Sequence, residues 1–202
     1  MKRLLDGYQR FRANVWRDQS RRFESLARDG QAPEALVVAC VDSRVDPAMI
    51  FDAAPGEMLT VRNVANLVPP YAPDATYHGT SAALEFGVRV LEVRHVIVLG
   101  HGLCGGVKTL LQDGPNTEHE FIGPWMSIAR PALAIALSRG SDEERRLSCE
   151  HEVVKVSLTN LMTFPWVAER VEAGKLQLHG AWFNIHSGVL MILQPDGSFA
   201  AA

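Results

Sequence analysis

Val96-Ile-Val-Leu-Gly-His-Gly-Leu-Cys-Gly-Gly106 is an apolar, β-branched run that ends in a glycine-rich turn, and Val107-Lys-Thr-Leu-Leu111 follows it. A run of this kind bounded by glycines reads as a buried strand, and the segment after the turn as the start of a helix. Strand, turn and helix together aim His101 and Cys104 into one crevice. Imidazole and thiolate are the ligands zinc favours most, and His-x-x-Cys is a ligand spacing. About sixty residues upstream a second apolar run, Ala35-Leu-Val-Val-Ala39, ends in Cys40-Val-Asp-Ser-Arg44.

Between these runs, Met58-Leu-Thr-Val61 reads as another strand and Arg62-Asn-Val-Ala-Asn66 as a loop at its end. Asp46-Pro47 is a helix start, with Asp as N-cap and Pro at the first position, and the short helix ends before Pro55-Gly56. Pro69, Pro70 and Pro73 mark a surface excursion. Thr80 or Ser81 caps a helix of about a dozen residues carrying Leu84, Val88 and Leu91, and the central strand follows at 95–100. Strands alternating with helices predict βαβ units and a mainly parallel sheet flanked by helices, an α/β fold. Ligands of such sheets sit beyond the carboxyl ends of the strands, where Cys40 and His101 fall.

Downstream, Gln112–Glu120 reads as a polar loop and Pro124 opens an apolar helix over 125–138. Ser141-Asp-Glu-Glu144 is a capping box opening a long helix with Leu147, Val154, Leu158 and Leu161 on its apolar face. Pro165 begins a further helix closed by Gly174. Leu176–Phe183 and Val189–Leu193, with Ser187-Gly188 between them, read as a C-terminal hairpin. At the other end, Leu4, Leu5, Tyr8, Phe11, Val15, Trp16, Phe23 and Leu26 recur at helical spacing in a charged background, which predicts one or two amphipathic helices over 2–29. Their narrow stripe can pack on the domain or on a partner subunit. No linker or repeat interrupts the chain, so residues 1–202 read as one domain with 1–29 as a helical arm.

Composition bounds the function class. A chain of 202 residues with 47% hydrophobic and 21% charged residues has the profile of a globular protein with its own core. The net charge of −3 and the scattered basic residues carry no nucleic-acid footprint. No segment has the length of a signal-peptide core or a membrane span, so no membrane association is expected and the expected location is cytoplasmic. Three cysteines are too few and too unevenly spread for a disulfide framework. Cys149, in a charged helical stretch, reads as an inert thiol.

Cys40, His101 and Cys104 together supply a Cys₂His zinc site with one position open, the catalytic rather than the closed structural pattern. Asp42 admits two readings. It could be a fourth ligand that shuts the site, or it could be held by Arg44 in a charge-assisted pair and accept a hydrogen bond from bound water. Gly100-His-Gly-Leu-Cys-Gly105 matches the dinucleotide fingerprint G-x-G-x-x-G, but the polar stretch 112–120 stands where a second strand ending in an acidic residue belongs. Val107 separates Gly106 from Lys108, so a Walker loop fails as well. The glycines are better read as a tight turn beside a metal, with helix-start amides such as that of Gly105 available to an anionic substrate. His78, His95, His119, His151, His179 and His186 lack cysteine neighbours at ligand spacing, and nothing selects one as a proton relay.

These segments resemble the β-class carbonic anhydrases. Cys40-Val-Asp-Ser-Arg44 is similar to that family's C-x-D-x-R segment and His101-Gly-Leu-Cys104-Gly-Gly to its H-x-x-C-G-G segment. Pro55-Gly-Glu, Arg62–Asn66, Gly79–Glu85, Ser157–Leu161 and Leu178-His-Gly180 also match, so the likeness runs from about residue 30 to 190. The resemblance implies a zinc enzyme, with one zinc per subunit, that reversibly hydrates carbon dioxide to bicarbonate and a proton by attack of zinc-bound hydroxide. It implies Cys40, His101 and Cys104 as ligands and Asp42 with Arg44 as the orienting pair. Gln31 matches a substrate-binding glutamine of one subgroup, and Val64 and Phe86 would line an apolar substrate pocket near a dimer interface, with Phe86 standing where tyrosine is usual.

The resemblance further implies a homodimer or a larger assembly of dimers, with the N-terminal helices reaching across to the partner. A second subgroup binds bicarbonate at a regulatory site through a tryptophan and a tyrosine. Val37 and Phe183 occupy those positions here, so no such pocket is expected. Two other functions stay open: hydrolysis of carbonyl sulfide or carbon disulfide at the same zinc site, and a zinc-binding module without catalysis.

Overall fold

β-Branched residues at alternating positions build the centre of the molecule. The computed structural model describes residues 1–114 and 119–202. In β1 (Ala35–Cys40), Leu36 and Val38 face one side of the sheet and Val37 and Ala39 the other, and all four are fully buried. Burial on both faces is what a central parallel strand requires. β1 lies between β2 (Met58–Asn63) and β3 (His95–His101), and β3 pairs on its far side with β4 (Gln177–Phe183), all in parallel. β5 (Leu190–Leu193) and β6 (Phe199–Ala201) extend the sheet antiparallel, giving the order β2-β1-β3-β4-β5-β6.

The chain leaves β1 towards β2 on one side and returns past β1 to β3 on the other. The carboxyl ends of β1 and β3 therefore flank a topological switch point, where a parallel sheet opens a crevice. Two apolar layers hold this arrangement. On one face Leu36, Val38, Val96 and Val98 pack against Leu84 of α4 (Gly79–Glu85), Val88 of the π-helical turn that continues it to Val90, Val154 and Leu161 of α8 (Asp142–Leu161), and Val167 of α9 (Pro165–Glu172). The other face is smaller, with Ile50 and Phe51 from the end of α3 (Pro47–Ile50) packed on Val37, Ala39 and Leu99. A third cluster sits over the carboxyl ends and joins Cys40 and Cys104 to Val107 and Leu110 of α5 (Gly105–Asp113) and to Cys149 and Val153 of α8.

The N-terminal arm is two helices, α1 (Lys2–Ala13) and α2 (Val15–Asp29), and neither contains a buried residue. Their apolar stripe gathers into a ring cluster of Tyr8, Phe11, Trp16 and Phe23. Arg22 ties the arm to the domain by donating to Pro55 O at 2.5 Å and pairing with Glu57 at 3.1 Å. No helix among the described residues is long and apolar enough to cross a membrane.

Capping follows the sequence closely at two helices. Asp46 accepts from the Ala48 and Met49 amides at the start of α3, and Ser141 and Glu144 form the reciprocal capping box of α8. Elsewhere the structure corrects the expected boundaries. Arg62 and Asn63 belong to β2, in register with Ala39 and Cys40, and the chain turns only at Val64–Asn66. The helix at 79 is not capped by Thr80 or Ser81. It starts at Gly79 after His78, because the Thr80 hydroxyl instead accepts from Asn63 Nδ2 at 3.2 Å.

The expected helix over 125–138 is broken into α6 (Ile122–Met126), a 3₁₀ turn at Ser127–Ala129 and α7 (Arg130–Ala136). Pro131 cannot donate to the carbonyl four residues back, which forces the restart. β6 extends the expected hairpin by a third strand, and α5 starts at Gly105, ahead of Val107. Of the expected loop Gln112–Glu120, Gln112 and Asp113 end α5, and residues 115–118 lie outside the described residues.

Candidate metal centre

The three predicted ligands come together from three different local structures. Cys40 is the last residue of β1, His101 the last of β3, and Cys104 the residue that precedes the first turn of α5. Leu103 takes a left-handed conformation with φ 58°, which turns the chain sharply enough for His101 and Cys104 to face the same point. One ligand atom from each residue lies within 4.8 Å of the others, and all three side chains are buried. The Cys40 and Cys104 sulfurs are 3.9 Å apart. A tetrahedral zinc with Zn–S bonds of about 2.3 Å separates two sulfurs by roughly 3.8 Å.

His101 is poised in the tautomer that such a metal needs. Its Nδ1 donates to Gly102 O at 2.9 Å, since a carbonyl can only accept, and this leaves Nε2 buried without a partner. The charges are equally unresolved in the bare protein. The Cys104 thiol bonds to Cys40 and pulls it down to about 4 against the effect of burial, while the same contact and burial push Cys104 far up. Burial lowers the His101 pKa, but the neighbouring Cys40 thiol outweighs it and the net shift is upward. A dication bound by both thiolates and Nε2 satisfies all three groups at once. The donor set therefore fits zinc.

Asp42 lies just beyond β1 and is not part of the ligand group. Arg44 grips it with a two-pronged pair, Nε to Oδ1 at 2.9 Å and NH2 to Oδ2 at 2.7 Å, and the Arg44 amide adds a bond to Oδ1 at 2.9 Å. These bonds hold the Asp42 carboxyl well below the usual carboxylate range, against its partial burial. Arg44 also donates to Leu103 O at 3.1 Å, linking the pair to the ligand turn. From the neighbouring strand Arg62 donates to Cys40 O at 2.9 Å and Asp42 O at 2.6 Å and pairs with Asp46. The backbone between Cys40 and the Asp42–Arg44 pair is thereby fixed from both sides.

The other expected substrate residues divide. Val64 packs against the cluster that contains Cys40 and Cys104, and on its other side it lines an apolar pocket of about 630 Å³ with Tyr77, Phe121, Trp125 and Ile128. Trp125 Nε1 donates to Val64 O at 2.8 Å and pins that wall. The metal ligands themselves do not line this pocket. A Cβ at Gly105 would meet nothing within 4 Å, so the Cβ side of the first residue of α5 is open. Phe86 is 45% exposed and does not line the Val64 pocket, and Gln31 is exposed ahead of β1. Within one chain neither joins the cluster. Val37 belongs to the sheet core, with Phe183 packed beside it.

Several supporting residues carried no assigned role in the sequence. Glu150 of α8 is buried beneath the ligand turn, facing the Cys104 amide at 3.4 Å and paired with Arg146. Ser157 Oγ accepts from Val68 N and donates to Asn66 O, both at 3.1 Å, and Asn160 donates to Val68 O, so α8 clamps the loop that follows Val64. The one signal available for Glu150 was its i,i+4 spacing from Arg146, and helix surfaces show the same spacing everywhere.

A buried Cys₂His group positioned to bind a metal, set at the switch point of a parallel sheet, is what defines this α/β protein. The family model described as Carbonic anhydrase matches residues 35–190. β carbonic anhydrase 3 of Arabidopsis thaliana is 39% identical over 97% of this chain and 78% of its own length. The chloroplastic β carbonic anhydrase 5 of the same plant is 38% identical over 86% of this chain and 58% of its length. Among solved structures, the β-carbonic anhydrase CcaA superposes with a TM-score of 0.91 at 31% identity, covering 100% of this chain and 92% of that one. A Coccomyxa β-carbonic anhydrase solved with acetazolamide gives 0.82 at 30% identity over 94% of this chain and 84% of that one. The chain belongs to the β-carbonic anhydrase family, and as a member of it is an enzyme.

Proposed function

We propose that the chain carries out the reversible hydration of carbon dioxide with Cys40, His101 and Cys104 as the ligands of one zinc per subunit. The observation that carries this is the ligand group itself: two sulfurs 3.9 Å apart, an unpartnered buried Nε2, and a carboxylate alongside that is already engaged by an arginine. Zinc, when bound, supplies the Lewis acidity that makes water a nucleophile near neutral pH. The protein groups do the rest. Arg44 keeps Asp42 anionic and out of the ligand set, and Oδ2, which takes only one of its three bonds, keeps a lone pair free to accept another. Asp42 is thus able to accept from the attacking water and aim its lone pair at carbon. Val64 offers an apolar wall to an apolar gas, and the amides that open α5 offer donors to the bicarbonate product.

Two coarser features belong to the same proposal. The arm of α1 and α2, with Leu4, Leu5 and Tyr8 more than half exposed, packs on a second copy of the chain and makes the enzyme a dimer or an assembly of dimers. Two β-carbonic anhydrases of Sordaria macrospora, of similar fold at a TM-score of 0.82, are described as tetrameric. A cytoplasmic location completes the reading and is tested by cell fractionation. The decisive experiment combines metal analysis with stopped-flow hydration of carbon dioxide across pH, before and after chelation. One zinc per chain and activity that is lost and regained with the metal are expected. A zinc-loaded protein inactive on carbon dioxide but active on carbonyl sulfide or carbon disulfide would replace the substrate, and one inactive on all three would replace the enzyme.

A further inference from the structure

The Glu150 side chain is fully buried, and neither the ligand set nor the Asp42–Arg44 pair accounts for a carboxylate at that place. Burying a carboxylate costs several kcal/mol unless it is paired and hydrogen bonded. Arg146, one turn earlier on α8, supplies the pair, with NH1 at 2.9 Å from Oε1 and 3.2 Å from Oε2. The remaining partners lie on the ligand turn. Oε1 faces the Cys104 amide at 3.4 Å, a long contact. Burial pushes the Glu150 pKa up, and the Arg146 pair, then the Cys104 and Leu103 amides, offset part of that rise.

The amide that Glu150 faces and the carbonyl that Arg44 grips are two ends of one peptide group. Leu103 O accepts from Arg44 NH2 at 3.1 Å, and Cys104 N–H points to Glu150. A cation at the oxygen and an anion at the nitrogen both favour one orientation of the peptide dipole. This is also where the backbone needs help, because Leu103 holds φ 58° without being glycine. A left-handed leucine is disfavoured, because its Cβ crowds the following carbonyl oxygen. The conformation brings Cys104 round to His101, so whatever holds it also places a ligand.

We propose that Glu150, held by Arg146, is a positioning residue of the metal centre, clamping the Leu103–Cys104 peptide opposite Arg44 and so fixing the direction from which Cys104 meets the metal. The inference rests on Cys104 being a zinc ligand. It adds a second ion pair, on α8, to the Asp42–Arg44 pair and couples the two through a single peptide. It also explains why α8, which contributes no ligand, runs beneath α5 and β3 with a charged residue facing inwards.

The test uses the whole protein, stripped with a chelator and titrated with zinc and with cobalt(II). Glu150→Gln keeps the shape and removes the charge. It is expected to weaken zinc binding by roughly 10–100-fold, the range typical of groups that orient metal ligands, and to alter the cobalt ligand-field spectrum while the circular dichroism stays native. Wild-type affinity and spectrum in this variant overturn the proposal and leave the carbonic anhydrase reading intact, whereas a wild-type chain that binds no zinc overturns both. Should Glu150→Gln not fold, Arg146→Lys, which keeps the charge and shortens the reach to the carboxylate, is expected to give a smaller loss and the same spectral change, and unchanged affinity and spectrum overturn the proposal. In the pair Arg44→Gln with Glu150→Gln, the combined loss should fall short of the product of the single losses. Losses that multiply within a factor of two overturn the shared-peptide coupling.

Discussion

Ser157→Ala tests whether α8 clamps the loop that carries Val64. Ser157 is fully buried, and its hydroxyl accepts from Val68 N and donates to Asn66 O at 3.1 Å each, across some ninety residues of sequence. Alanine removes both bonds and leaves no room for water to replace them. Each lost bond is worth about 1 kcal/mol net, and stranding the buried Val68 amide costs about 1–3 kcal/mol more. Against this, Ala65 and Asn66 are both left-handed, at φ 61° and 47°, and a freed loop regains part of that strain. The net loss should be roughly 2–4 kcal/mol, which for a chain of this size lowers the melting temperature by roughly 5–12 °C. Urea unfolding of both proteins, at matched zinc loading and protein concentration, should show a lower midpoint with an unchanged slope. A loss below about 0.5 kcal/mol would refute the clamp.

Three further outcomes are expected. Asp42→Asn should lower carbon dioxide turnover by at least about 100-fold while one zinc stays bound, and unchanged turnover would remove Asp42 from the mechanism. Gly100→Ala sets a Cβ 2.7 Å from Val154 Cγ2 in the packed contact between β3 and α8, so it should destabilise by about 1–3 kcal/mol in thermal unfolding, and a neutral effect would mean that α8 yields. His151, enclosed by Trp182 and Phe199 with Lys155 and Glu152 nearby, is held down to about 4 by burial. A group whose folded pKa lies below its unfolded value of about 6.5 binds more protons unfolded, so stability is full above 6.5 and falls as pH drops from there towards 4. His151→Leu should flatten that fall by something on the order of 1–3 kcal/mol, and parallel stability curves for the two proteins would count against a neutral buried His151.

What the sequence made legible is what local spacing encodes. Cys40, Asp42 and Arg44 lie within five residues, His101 and Cys104 within four, and the glycines around them mark where strands give way to turns. Asp46-Pro47 and Ser141–Glu144 spell out caps whose bonds form within one helical turn. The residues that escaped act over long separations. Glu150 gains its meaning only when α8 docks beneath the turn, and Ser157, part of a matching segment but without a role in the sequence, only when Val68 and Asn66 meet it. β6 escaped because Phe199-Ala-Ala201 is too short to show an alternation, and its strand character comes from pairing with β5. The break in 125–138 falls at Pro131, a signal that the apolar run around it hides. Gln31 and Phe86 stand apart from the cluster within one chain, both exposed, and spacing alone could not place them.

The distribution of strain supports placing the chemistry at the switch point. Among the described residues six that are not glycine have positive φ, and three of them, Ala65, Asn66 and Leu103, flank the ligand group at the ends of β2 and β3. Each costs of order 1–3 kcal/mol and persists only where neighbouring bonds over-determine it. Those bonds are present: Ser157 and Asn160 hold the backbone around Asn66 and Val68, Asn63 donates to Leu67 O and accepts from Leu67 N, and Arg44 and Glu150 take the two ends of the Leu103–Cys104 peptide. A loop kept only for connection would relax to ordinary backbone and release these side chains to solvent. Instead buried Ser157 and Glu150 and half-buried Asn63 and Asn160, together with exposed Arg44, hold two short segments in costly conformations, one presenting Val64 and the other Cys104. The strain therefore gathers at the two segments that pack around the Cys40–His101–Cys104 group, as expected if the fold around the carboxyl ends is shaped by the proposed metal and substrate more than by the stability of the chain.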